Sequence, residues 1–96
     1  MMVLITYDVE TSTEGGARRL RKVAKACMDY GMRVQNSVFE CVLDQAQYVN
    51  LRVKILGIID RERDSVRFYL MGKNWGGHID VIGRDPGKNQ ESILIF

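Results

Sequence analysis

Two groups of side chains in this chain could do chemistry: a carboxylate where an apolar run stops, and a block of cations. Val3, Leu4 and Ile5 lead through Thr6 and Tyr7 to Asp8, after which Glu10 to Gly16 abandons the strand pattern. A short β-branched apolar run of this kind reads as a central strand, so Asp8 would be held by a rigid element yet open to solvent at its tip. That placement suits metal or phosphate chemistry, although from position alone a turn or cap residue bonded to nearby amides is the plainer reading. The second group is Arg18, Arg19, Arg21, Lys22 and Lys25, five cations within eight residues with no acid among them. Exposed faces usually mix signs, and these cations lack the acidic neighbours that normally support a helix surface. They point to phosphate contact, with a solvated face as the plain alternative.

The elements that must position these groups follow in order. Ser12 or Thr13 could cap a helix, although Gly15 and Gly16 blur its start. Leu20, Val23, Ala24, Cys27 and Tyr30 recur at helical spacing, which predicts a helix over Ala17 to Tyr30 ended by Gly31. Arg33 to Leu43 reads as one strand with apolar groups on both faces. Two half-buried faces on so small a domain imply a partner subunit. Asp44 with Gln47 forms a capping-box pattern, and Tyr48, Leu51, Ile55 and Ile58 or Ile59 carry a helix to about Asp60. Asp60 to Asp64 alternates in sign and reads as a solvated loop with no catalytic role.

Ser65 to Met71 is a strand by its alternation. Trp75 lies in the turn from Gly72 to Gly77, and His78 to Ile82 is a short strand. As the only histidine, His78 cannot build a multi-histidine metal site, and strand-start hydrogen bonding suits it better than acid–base chemistry. Gly83 to Gln90, with Pro86, is a polar connection to Ser92–Phe96, an apolar terminal run that needs a sheet to join and could cross to another subunit. The order fits an α+β, ferredoxin-like βαββαβ domain with an extra C-terminal strand. Helices cover one sheet face, and the other is the expected homodimer surface.

Composition sets the bounds. With 46% hydrophobic and 27% charged residues, positions 1–96 make one globular domain, with 84–96 as its C-terminal linker and strand. The net charge of +2, from 14 basic against 12 acidic residues, says little by itself about nucleic acid, so the placement of charge carries that inference. Cys27 and Cys41 show no metal spacing and read as buried thiols of a reducing cytoplasm. No secretory signal or membrane span is expected.

Three segments in this order carry a family likeness: Leu4-Ile5-Thr6-Tyr7-Asp8-Val9, then Arg19-Leu20-Arg21-Lys22-Val23-Ala24-Lys25 leading to Tyr30-Gly31, then Arg33-Val34-Gln35-Asn36-Ser37-Val38-Phe39-Glu40-Cys41. Together they closely resemble the CRISPR-associated protein 2 family, nearest to the version found with compact DNA-targeting systems. The resemblance implies a ferredoxin-like homodimer whose C-terminal strands add to the partner's sheet. It implies that Asp8 of both subunits meets near the dimer axis and binds Mg²⁺ or Mn²⁺ in a metal-dependent endonuclease. Glu10 and Ser37 would then be accessory groups, while Arg18, Arg19, Arg21, Lys22, Lys25 and Arg33 would hold the nucleic-acid backbone. Duplex DNA is favoured over single-stranded RNA. The alternative is a non-catalytic DNA-binding scaffold that bridges dimers of the CRISPR-associated integrase.

Overall fold

β1 (Met2–Asp8) owes its central place to alternation. Val3, Ile5 and Tyr7 are buried on one face, while Met2, Leu4, Thr6 and Asp8 turn to the other. The computed structural model describes residues 1–72 and 77–84. After β1 come α1 (Gly16–Met28), β2 (Gly31–Gln35), β3 (Val38–Val42), α2 (Gln45–Leu56), β4 (Ser65–Met71) and β5 (His78–Gly83). The strands form one antiparallel sheet in the order β2-β3-β1-β4-β5. This is the ferredoxin-like βαββαβ arrangement with β5 added beside β4. Trp75, Pro86 and the expected terminal strand Ser92–Phe96 lie outside the described residues.

Both helices pack on the face lined by Val3, Ile5, Phe39, Cys41, Val66, Phe68 and Leu70. Helix α1 contributes Val23, Ala24, Ala26 and Cys27, and α2 contributes Leu51 and Ile55. Burying a side chain of the Leu, Ile or Phe class contributes about 1.5–3 kcal/mol, so this apolar layer outweighs any single surface contact. Asp44 caps α2 as its spacing predicts: Gln47 N–H donates to Asp44 Oδ1 at 2.8 Å, and Asp44 N–H donates to Gln47 Oε1 at 3.0 Å. Both cysteines are buried free thiols, and His78 is exposed at the start of β5. No helix among the described residues is long and apolar enough to cross a membrane.

Five expectations are corrected. Arg33 to Leu43 is a hairpin, because the chain turns at Asn36-Ser37, where Ser37 C=O accepts from Tyr7 N–H at 3.1 Å. Apolar residues on both faces had masked that turn. Helix α1 ends at Met28, with Asp29 as its C-cap, and α2 ends at Leu56 before Gly57, both short of their apolar stripes. Neither Ser12 nor Thr13 caps α1: the N-cap is Gly15 in a left-handed conformation, without a side-chain cap bond. Asp64 is not a solvated loop residue, since its side chain is 0% exposed.

Candidate functional site

Tyr7 and Asp8 leave β1 on opposite faces of the sheet. Tyr7 goes to the helix side, where its ring stacks on Phe39 with centroids 6.1 Å apart and its hydroxyl donates to Asn36 C=O at 3.3 Å. Burial pushes its phenol upward in pKa. Asp8 emerges on the open side with its carboxylate 77% exposed, opposite Ser65 of β4. Thr6, Tyr7, Asp8, Ser65, Arg67 and Arg84 line a shallow hollow of about 200 Å³ at this end of the sheet. Within it, Arg84 brings a guanidinium nitrogen to 3.6 Å from Asp8 Oδ2.

The accessory residues divide. Glu10 is held through its backbone, whose N–H donates to Asp64 Oδ1 at 3.0 Å. Its carboxylate accepts from Ser12 at 3.2 Å and faces Arg63 at 4.0 Å. Ser37 is placed beside the end of β1 by its carbonyl bond to Tyr7. Among the described residues no group of three or more His, Cys, Asp or Glu converges as a metal cage. The donor chemistry at Asp8 nevertheless suits a hard ion that keeps much of its water. Mg²⁺ is commonly held by only one or two carboxylates, and Asp8 offers one exposed carboxylate per chain.

The cations also divide. Arg18, Arg21, Lys22 and Lys25 are exposed on the helix side and make no ion pair among the described residues. Arg19 behaves differently. Its Nε donates to Asp64 Oδ2 at 2.7 Å, a second nitrogen reaches Asp64 Oδ1 at 3.3 Å, and the same nitrogen reaches Glu10 C=O at 3.3 Å. Arg33 lies over the Phe39 ring at 5.2 Å. Asp8 and the exposed face of α1 therefore lie on opposite sides of the sheet, and one chain does not bring them together.

Sequence reasoning missed Asp64 and Arg84. Asp64 Oδ2 also accepts from Asp60 N–H at 2.8 Å, and its backbone C=O accepts from Arg84 N–H at 2.7 Å. Burial opposes ionisation of Asp64, but Arg19 and the Asp60 and Glu10 amides more than offset it, holding the carboxyl below its usual range. The mixed-sign run Asp60-Arg61-Glu62-Arg63-Asp64 gave no local sign of this, because the partner is on α1. A second polar group fixes β5 to α2: Tyr48 donates its hydroxyl to Asp80, and Arg52 Nε donates to Asp80 Oδ2 at 2.6 Å.

Comparison with known proteins agrees with this geometry. Residues 1–79 match the family model described as CRISPR associated protein Cas2. The chain is 53% identical over 96 residues to a Halalkalibacterium halodurans protein named CRISPR-associated endonuclease Cas2, covering 100% of each. It is 52% identical over 96 residues to a Chlorobaculum tepidum protein named CRISPR-associated endoribonuclease Cas2, again covering 100% of each. The crystal structure of Streptococcus pyogenes Cas2 superposes with a TM-score of 0.71 at 60% identity, covering 78% of this chain and 90% of that one. On the matched residues, the relatives and the shared fold, this chain belongs to the CRISPR associated protein Cas2 family.

Proposed function

We propose that this protein serves CRISPR adaptation as a DNA-binding scaffold, a homodimer that holds duplex DNA and bridges dimers of the CRISPR-associated integrase. The observation that carries this reading is the exposed cationic face of α1, where Arg18, Arg21, Lys22 and Lys25 have no acidic partner among the described residues. Such a face neutralises backbone phosphates without reading bases. Arg19 and Arg33, occupied by Asp64 and Phe39, shape the structure behind it. A second copy is the natural cover for the open sheet face, where Met32 and Val42 are 69% and 73% exposed. The long β1–α1 loop with Gly15 and Gly16 is similar to the version found with compact DNA-targeting systems, which supports duplex DNA over single-stranded RNA.

A second reading is favoured by the exposed carboxylate of Asp8: it holds Mg²⁺ or Mn²⁺, paired with Asp8 of a second copy. Such an ion, when bound, offsets phosphate charge and lowers the pKa of a bound water. Asp8 would anchor the ion, with Ser37 beside it and Glu10 behind it in the loop. The cations of α1 face away from Asp8, so within one chain they do not deliver a phosphate to it. The test is cleavage of labelled duplex DNA and single-stranded RNA with Mg²⁺, Mn²⁺ or chelator, comparing wild type with Asp8→Ala. The scaffold reading expects equal backgrounds, with duplex and integrase binding retained. Metal-dependent cleavage lost in Asp8→Ala would make the second reading the primary one.

A further inference from the structure

Resting on the reading of Asp8 as a divalent-cation ligand, we propose that Arg84 is a positioning residue that competes with the cation for the Asp8 carboxylate and sets how tightly it binds. Three contacts aim Arg84. Its backbone N–H donates to Asp64 C=O at 2.7 Å, its Nε donates to Arg63 C=O at 3.2 Å, and its terminal nitrogen stands 3.6 Å from Asp8 Oδ2. The turn that allows this is Gly83, at φ +86, where an added Cβ would lie 2.3 Å from Asp64 C=O. The chain leaves β5 pressed against Asp64, and Asp64 is itself fixed by Arg19. The guanidinium is thus carried to the tip of β1 by backbone contacts, and its meeting with Asp8 is built into the fold.

The pair is poised to exchange. Asp8 is 77% exposed and Arg84 41% exposed, so solvent screens their attraction and it adds little to folding. A dication approaching the same carboxylate meets two obstacles: the guanidinium must give up its place, and its positive charge then stands beside the ion. Both obstacles come from Arg84 and go when residue 84 is neutral, while Arg67, which also lines the hollow, is the same in every variant. Binding at an otherwise simple carboxylate is held weak, so the ion enters readily only where further oxygen ligands, such as a second Asp8 or a phosphate, join it.

The test is Mn²⁺ titration of the full chain, following the free aquo-ion signal by electron paramagnetic resonance, for wild type, Arg84→Gln, Arg84→Lys, Asp8→Ala and the Asp8→Ala/Arg84→Gln double variant. Circular dichroism confirms the fold of each. Removing the charge should tighten Mn²⁺ binding about three- to tenfold in Arg84→Gln. Arg84→Lys should stay near wild type, and binding should vanish with Asp8→Ala in both backgrounds. Equal affinity in Arg84→Gln and wild type, with Asp8→Ala still abolishing binding, would overturn the competition while leaving Asp8 as the ligand. Binding that survives in the double variant, or is absent from every variant, would overturn the ligand reading and the competition with it.

Discussion

Arg19 and Asp64 stand 45 positions apart in the chain and meet through Nε and Oδ2 at 2.7 Å. Their contact ties the first turns of α1 to the turn before β4, and through Glu10 and Arg84 it braces both sides of the β1 tip. Asp64 is fully buried and also holds the Glu10 and Asp60 amides. Replacing it with Ala leaves those donors without their acceptor. A loss of roughly 3 kcal/mol is expected from removing one partner of such a group. Thermal unfolding by circular dichroism should show the melting temperature down by more than about 10 °C. A change within about 2 °C would remove Asp64 from the framework.

Acid should weaken the fold through two carboxylates. Burial opposes ionisation of Asp64 and Asp80, but Arg19 with two amides at the first, and Arg52 with Tyr48 at the second, hold both below the usual 3.8. As pH falls, the unfolded chain takes up these protons first. The stability they add is therefore complete above about pH 5 and is lost as pH falls through their folded values. Melting temperatures measured across this acid range should drop less steeply for Asp64→Asn and Asp80→Asn than for wild type. Parallel curves would contradict the assignment.

Two glycines should respond with opposite signs when changed to alanine. Gly83 combines φ +86 with a 2.3 Å approach to Asp64 C=O, so Gly83→Ala should cost at least about 1–3 kcal/mol. Gly57 follows α2 at φ −76, and an added Cβ would find its nearest neighbours at 3.5 and 3.7 Å. Gly57→Ala should stabilise by about 0.4–1 kcal/mol through the unfolded chain. Urea denaturation of both variants checks the pair, and a shift in the same direction for both would contradict it.

The cysteines should be chemically quiet. Burial pushes Cys27 up to about 12, helped by Cys41, and burial pushes Cys41 up to about 11. The thiolate is the reactive form, so an aromatic disulfide reagent at neutral pH should react slowly with the native protein and fully in denaturant. Rapid reaction in the native state would mean that the core opens around α1 and β3.

What was legible in the sequence was local. β1, β4 and the start of α2 match because alternation and the Asp44–Gln47 box act within a few residues of themselves. The hairpin turn at Asn36-Ser37 was hidden by apolar residues on both faces of the run, and its bond to Tyr7 is a tertiary contact. By sequence Arg19 is one more cation in a block, since nothing within α1 distinguishes it from Arg18. Its difference comes from Asp64, far along the chain. By sequence Arg84 belongs to a polar connection, because only the glycine turn against Asp64 brings it to Asp8.

The most direct test of the scaffold account is the salt dependence of duplex DNA binding, measured by fluorescence anisotropy for wild type, Asp8→Ala and the Arg18→Ala/Lys22→Ala/Lys25→Ala triple variant. Each phosphate contact contributes about 0.9 to the slope of log affinity against log salt. The account predicts that the triple variant binds more weakly with a slope shallower by roughly 2–3 per chain, while Asp8→Ala keeps the wild-type slope. A triple variant that binds like wild type, or an Asp8→Ala variant that alone loses the duplex, would contradict it.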